Sequence, residues 1–158
     1  MKPLVVHCDV DAPRERLFEI ATDLKRWPER VSAINKIEIV EGDGMAVGTV
    51  FRETRTMFGR EATETMTVAE LEAPSRFLLT ADSHGSHYRS EFRIDERESG
   101  CRLMLSFEAT PKSFFAKLMS FMMKPMMKKM AQMCLKDLED MKRAAEVELG
   151  SEGDSAEA

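Results

Sequence analysis

The side chains in this sequence that could support acid–base chemistry are few. Tyr88, Glu53 and Glu64 are the candidates, because each alternates with apolar residues along a predicted strand. Catalysis would need one of them to face an interior cavity with a shifted pKa. For the strand at 49–57 the opposite orientation, with Arg52 inward, is equally compatible, since a one-residue slip reverses the faces. Glu64 has the same ambiguity, so all three stay weak catalytic candidates.

Residue patterns typical of metal, nucleotide or triad chemistry are missing. His84 and His87 flank a turn with Asp82 as the only nearby carboxylate, which is more typical of exposed turn histidines than of a metal site. The cysteines are far apart, odd in number and without a CxxC pair: Cys8, Cys101 and Cys134. We therefore expect no metal, no cofactor and no disulfide framework, and a reducing, cytoplasmic compartment.

Length and charge narrow the classes further. A chain of 158 residues fits one domain, and its 43% hydrophobic content can bury a sizeable core. The net charge of -5 argues against a nucleic-acid partner, which needs concentrated Lys and Arg. The first apolar run is too short for a signal peptide, and no stretch is long and uncharged enough for a membrane span.

The middle of the chain predicts an antiparallel meander, because alternating segments are separated by Gly, Pro and Ser turns. A first strand at 2–10 is followed by two short helices; Asp11 is a plausible N-cap of the first, and Pro28 ends the second. Six further strands are predicted, at 34–41, 49–57, 61–72, 76–82, 87–95 and 101–110. The last two have one apolar and one charged face, which indicates a sheet that is buried on one side.

A long C-terminal helix is predicted from 112 to about 147, kinked or split at Pro125. It is rich in methionine, which either fills the helix–sheet core or lines a pocket that adapts to varied apolar ligands. Asp137 projects onto its apolar side, and we expect it to reach solvent near the helix end. Residues 1–149 are predicted to form the single domain and 150–158 a disordered acidic tail.

Local matches carry a family resemblance: Asp11-Ala12-Pro13 followed by Leu17-Phe18, the run Thr22–Pro28, Gly48–Arg52, and Asp137–Lys142. In these segments, and in its element order, the chain resembles SRPBCC proteins of the START/Bet v 1-like superfamily, in particular bacterial polyketide cyclase/dehydrase and lipid-transport proteins. The resemblance implies an α+β helix-grip fold, in which a bent seven-stranded antiparallel sheet wraps around the C-terminal helix. It also implies a pocket between the two, but it transfers no catalytic residue.

The expected function is binding or transport of a hydrophobic small molecule, such as a lipid, polyketide or quinone-like compound. One alternative is a cyclase or dehydratase acting on a polyketide-like substrate. Another is an interaction module whose pocket has collapsed. The expected pocket lining is Trp27, Phe51, Phe77, Leu79, Tyr88, Phe92, Leu103, Leu105, Phe107, Met119, Met123 and Met126.

A transient membrane contact is a second expectation. Phe114, Phe115 and Phe121 would enter the bilayer interface while nearby lysines, Lys117, Lys124 and Lys128, meet anionic head groups. An isolated exposed Phe121 with no function is the alternative. Nothing in the sequence specifies an oligomeric state.

Overall fold

The computed structural model describes residues 2–156, and the side chains of residues 2–147. The expected disordered tail at 150–158 lies outside the residues whose side chains are described. The fold is α+β with a seven-stranded, fully antiparallel sheet in the order β1-β7-β6-β5-β4-β3-β2. The strands are β1 (Leu4–Val10), β2 (Ile34–Glu41), β3 (Val50–Met57), β4 (Arg60–Glu72), β5 (Arg76–Ser83), β6 (Ser86–Glu96) and β7 (Cys101–Pro111). The predicted helix-grip architecture is confirmed.

Two short helices connect β1 to β2, as predicted: α1 (Arg14–Thr22) and α2 (Trp27–Arg30), joined by a 3-10 turn. The predicted N-cap at Asp11 is wrong, because α1 begins after Pro13 and no side chain caps it. The backbone N–H of Asp11 instead donates to Glu146 Oε1 at 2.8 Å, which ties the start of α1 to the C-terminal helix. Pro28 lies in the first turn of α2, which begins at Trp27, instead of ending a helix, since the first turn tolerates a missing N–H.

The C-terminal helical region is divided at Pro125 as predicted. It consists of α3 (Phe114–Met122), a 3-10 turn at Lys124–Met126, and α4 (Met127–Ala156). Ser113 caps α3 by accepting a hydrogen bond from the Ala116 N–H at 3.0 Å. The 3-10 turn places Pro125 where its missing N–H costs least. The break gives α3 and α4 separate packing surfaces.

The core lies where α4 and α1 cover one end of the sheet. α4 packs mainly against β1 and α1. Its Leu138, Met141 and Ala145 are buried among inward side chains of the sheet. Phe77 and Phe92, paired across β5 and β6, stack with ring centroids 4.6 Å apart. This end of the sheet is therefore closed by tight packing.

Candidate functional site

Seven of the predicted lining residues form the closed end of the concave face. Each is at least nine-tenths buried: Trp27, Phe51, Phe77, Leu79, Phe92, Leu103 and Leu105. Trp27 meets Phe51 edge to face at 6.0 Å between centroids, and its indole N–H donates to the Ala21 carbonyl at 3.1 Å. These side chains contact one another, so they provide the floor next to any cavity, and their contact with a ligand stays a prediction.

The other end of the concave face is only half covered. Ala81 pairs with Tyr88 and Ser90 with Phe107 across neighbouring strands, and all four side chains point to the helix side of the sheet. They are half-buried, whereas their neighbours one pair further along, Phe92 and Leu105, are buried. Tyr88 and Phe107 stack at 5.8 Å between ring centroids. We call this half-open surface, formed by Met66, Ala81, Tyr88, Ser90 and Phe107, the hollow.

The orientation of β3, which the sequence left open, is resolved by burial. Phe51 and Glu53 face inward and are buried, and Arg52 is exposed. Arg55 shares the inward face, and its Nε donates to Glu53 Oε1 at 2.6 Å. Its Nη1 donates to Asp137 Oδ2 on α4 at 3.0 Å. Glu53, Arg55 and Asp137 thus form a buried charge cluster that joins the sheet to α4.

Asp137 does not reach solvent as the helical projection suggested. It is only 9% exposed, because α4 continues past it and Arg55 reaches it from β3. Burial raises the pKa of its carboxyl group above the usual 3.8, and Arg55 only partly offsets this effect. Burial alone would lower the pKa of Arg55, but the charges of Glu53 and Asp137 outweigh it and raise that pKa. Asp137 Oδ1 is buried without a protein hydrogen-bond partner among the described residues.

Of the weak catalytic candidates, Glu53 forms an ion pair with Arg55. Glu64, which pairs with Glu53 across β3 and β4, is half-buried on the inward face and accepts a hydrogen bond from Ser83 Oγ at 3.1 Å. Tyr88 lies on the same inward face, in the hollow, where it pairs with Ala81 next to the Ser83–Ser86 pair. The structure therefore brings one carboxylate and one phenol to the same half-open face of the sheet.

A separate groove runs between α4 and the β3–β4 turn, with a volume of about 490 Å³. Its lining includes Ala33, Phe58, Lys129, Gln132, Met133 and Asp137. None of the twelve predicted lining residues borders it. The groove lies on the flank of α4 near β2 and β3, and its size is within the usual range of small-molecule sites.

α3 presents most of its apolar side chains to solvent. Phe114, Phe115 and Phe121 are 84%, 68% and 67% exposed, and only Ala116 of this helix is buried. Met119 and Met123, predicted to line the pocket, are also exposed, because the break at Pro125 turns α3 away from the face that α4 buries. Met126 at the break is half-buried.

The exposed helix lies in a basic stretch of the chain. Residues 109–136 contain no Asp or Glu but six lysines: Lys112, Lys117, Lys124, Lys128, Lys129 and Lys136. The net charge of this stretch is therefore +6 in a protein of net charge -5, which leaves -11 for the rest. Lys124 Nζ lies 4.9 Å from the Phe121 ring centroid. No helix among the described residues is both long and apolar enough to cross a membrane.

The histidine and cysteine side chains do not come together in one site. His87 Nδ1 lies 3.0 Å from Asp82 Oδ1, which also accepts from Lys112 Nζ at 2.6 Å, and His84 is exposed in its turn. Within residues 2–147, no group of three His, Cys, Asp or Glu side chains could hold a metal ion. The three cysteines are free, and burial raises the pKa of each thiol to about 11.

Solved structures with the same fold are distant in sequence. TTHA0849 from Thermus thermophilus superposes with a TM-score of 0.73 at 16% identity, covering 92% of this chain and 97% of that one. The ginseng major latex-like protein 151 from Panax ginseng gives 0.71 at 10% identity, covering 90% and 96%. The di-domain ARO/CYC StfQ from the steffimycin biosynthetic pathway gives 0.76 at 14% identity. That match covers 94% of this chain and 53% of StfQ, so this chain spans about half of the StfQ chain.

A search of curated protein sequences gives no match. The sequence model of one family, described as polyketide cyclase / dehydrase and lipid transport, matches residues 3–146, which include every strand and most of α4. The match agrees with the helix-grip fold and with the sequence resemblance described above. The chain therefore belongs to the polyketide cyclase/dehydrase and lipid-transport family.

Proposed function

We propose that this protein binds and carries a hydrophobic small molecule, of the lipid, polyketide or quinone-like kind, in the hollow between the sheet and the C-terminal helices. The observation that carries the proposal is the half-open concave face, where Tyr88, Phe107 and Met66 are inward but only half-buried. A ligand placed there would cover aromatic and thioether surface that the protein itself leaves partly exposed.

Burial supplies the binding free energy in this mechanism. Enclosing some 300 Å2 of apolar ligand surface is worth about 7 kcal/mol before the costs of association. The closed floor, with Phe77 stacked on Phe92, gives the ligand a rigid surface to pack against. The methionines at the start of α4 are flexible side chains that can adjust to ligands of different shape.

A cavity-filling substitution tests the proposal. Ala81→Trp would place an indole in the hollow, and Thr65→Trp would add the same side chain on the exposed outer face of β4. The uncharged fluorescent probe N-phenyl-1-naphthylamine should bind the Thr65→Trp protein like wild type and the Ala81→Trp protein at least about tenfold more weakly. Equal binding to all three would exclude the hollow as the site. Native mass spectrometry of protein from its own host would then identify the ligand mass.

The ligand is proposed to be loaded and released at an anionic membrane surface. The exposed Phe114, Phe115 and Phe121 support this step, as do the lysines of a stretch of sequence, 109–136, that contains no Asp or Glu. Aromatic side chains favour the bilayer interface, and lysines near it are attracted to acidic head groups. Co-sedimentation with phosphatidylserine-containing vesicles at low salt tests it, and absence of binding under those conditions would exclude it.

A cyclase or dehydratase activity on a polyketide-like substrate is the second candidate. It is favoured by Tyr88, which is part of the hollow, and by the inward Glu64 next to it, since both could exchange a proton with a bound substrate. Glu64→Gln and Tyr88→Phe keep the shape of each side chain. If the protein turns over a poly-β-ketone substrate, both variants should lose rate while the apolar probe still binds; no turnover by wild type would exclude the enzyme.

A further inference from the structure

The exposed phenylalanines among residues 2–147 all lie at one end of the sheet. Alternate turns of an antiparallel meander fall at the same end, so the β3–β4 turn, the β5–β6 turn and the end of β7 lie together. α3 follows β7 directly and carries Phe114, Phe115 and Phe121, whereas Phe58 is 41% exposed in the β3–β4 turn. The start of α4 lies beside that turn, since Phe58 and Lys129 border the same groove.

The two ends of the sheet carry opposite charge. At this end, the turns at 57–60 and 83–86 and the stretch 109–136 contain seven Lys and Arg residues and no Asp or Glu. Two of the lysines are paired with Asp82 and Asp140, and the other five basic side chains form no ion pair with a described residue. The connections at the opposite end contain six acidic and two basic residues: 41–49, 72–76 and 95–101. An anionic bilayer would attract the first end and repel the second.

Phe58 has a backbone conformation that favours a different residue. Its φ is 51° and that of Gly59 is 76°, which is the pattern of a two-residue type I′ turn, closed here by the Met57–Arg60 pair. Such turns favour Asn followed by Gly, because a bulky side chain is disfavoured at positive φ. The turn therefore holds an exposed aromatic ring at a cost in stability, which points to a contact outside the fold.

From these observations we infer that the β3–β4 turn is a second membrane-docking element, which enters an anionic bilayer through Phe58 together with α3. The inference rests on the proposed function and deepens its loading step. The hollow lies near this end of the sheet, because its Ala81–Tyr88 pair is two pairs from the Ser83–Ser86 pair that closes β5 and β6. Docking on both elements would hold the half-open face against the membrane, whereas α3 alone would leave the orientation of the protein free.

One substitution separates docking from folding. Phe58→Asn removes the ring but supplies a side chain that tolerates positive φ, so the free energy of unfolding in urea should stay equal or rise. Binding to phosphatidylserine-containing vesicles, measured by co-sedimentation, should weaken about tenfold. Val47→Asn is the control, because Val47 is exposed at the opposite end, and it should bind vesicles like wild type. Binding of Phe58→Asn equal to that of wild type overturns the inference.

Tryptophan fluorescence shows which elements enter the bilayer. Phe58→Trp, Phe121→Trp and Val47→Trp each add one indole, and wild type, with only the buried Trp27, gives the baseline emission. In vesicles that contain doxyl-labelled phosphatidylcholine, the added emission of Phe58→Trp and Phe121→Trp should be quenched and that of Val47→Trp should not. Quenching of Phe121→Trp alone overturns this inference and leaves the loading step intact. No quenching in any variant overturns both, while binding of N-phenyl-1-naphthylamine still tests the hollow.

Discussion

Arg55 of β3 and Asp137 of α4 form an ion pair between residues 82 positions apart, with Nη1 3.0 Å from Oδ2. The same guanidinium binds Glu53 through Nε, so one cation serves two buried carboxylates. The pair joins β3, the strand next to the β2 edge of the sheet, to α4. Its electrostatics therefore affect the stability of the fold.

Replacing Arg55 with Met should destabilise the protein strongly. The substitution keeps the aliphatic stem but leaves Glu53 and Asp137 buried without their cation, which costs about 3–5 kcal/mol when one partner of a buried ion pair is removed. Urea unfolding followed by circular dichroism measures the change. Arg52→Met is the matched control, since Arg52 is exposed on the same strand and its loss should change the free energy of unfolding by less than about 0.5 kcal/mol. Similar stabilities of the two variants would contradict the buried cluster.

Two aspartates of α4, Asp137 and Asp140, should contribute to the free energy of unfolding with opposite pH dependence. Burial raises the pKa of Asp137 above 3.8, so the folded protein holds this proton more tightly than the unfolded chain. The resulting stability is complete below pH 3.8 and is lost as the pH rises through the raised pKa. The difference in unfolding free energy between wild type and Asp137→Asn should therefore shift in favour of wild type as the pH falls from 7 to 4.

Asp140 provides the comparison of opposite sign. Burial alone would raise its pKa, but hydrogen bonds from Lys136 and Ser32 outweigh that effect and hold it below 3.8. Its contribution to stability is present above 3.8 and is lost as the pH falls through the lowered pKa. The advantage of wild type over Asp140→Asn should narrow on acidification. Parallel pH profiles for wild type and both variants would show that neither pKa is shifted by folding.

Alternation of residue type predicted most of the sheet but not the charge cluster. In β6 and β7 the apolar and charged residues alternate, so their inward faces followed from the sequence. In β3 both faces mix polar and apolar residues, and the side chain that decides between them, Asp137, is far away in sequence. Glu53 and Arg55 face inward because Asp137 of α4 lies against them, and this contact depends on how α4 packs on the sheet.

The C-terminal helices show a second limit of sequence patterns. Projecting 112–147 as one helix placed Met119 and Met123 on the same face as Met130. Pro125 was identified as a break, but the direction in which α3 leaves α4 depends on tertiary contacts: Ala116 packs near Gly85, and the Lys112 N–H donates to the Gly85 carbonyl at 2.8 Å. These contacts fix α3 against the β5–β6 turn, and its methionines stay exposed.

The cysteines should react slowly with alkylating agents in the folded protein. Burial raises the thiol pKa of Cys8, Cys101 and Cys134 from 9.0 to about 11, which lowers the thiolate fraction at pH 8 roughly 100-fold. Cys101 is also fully buried, and its Sγ donates to the Ala12 carbonyl at 3.3 Å. Iodoacetamide labelling followed by mass spectrometry should be slow in buffer and fast in urea. Rapid labelling of Cys134 in the folded state would show that the helix–sheet contact opens on that timescale.

Phe121→Ala should weaken binding to anionic vesicles. Phe121 is 67% exposed on α3, and transfer of its ring into the bilayer interface is worth about 2 kcal/mol, or roughly 20- to 30-fold in affinity. Val47→Ala is the control, because Val47 is 64% exposed but lies outside the basic stretch, and its loss should leave vesicle binding unchanged. Because lysines of the basic stretch contribute, raising the salt concentration should weaken binding of wild type and of both variants. Co-sedimentation measures all of these effects. If Phe121→Ala binds like wild type while salt still releases the protein, the contact is electrostatic and the aromatic side chains of α3 do not enter the bilayer.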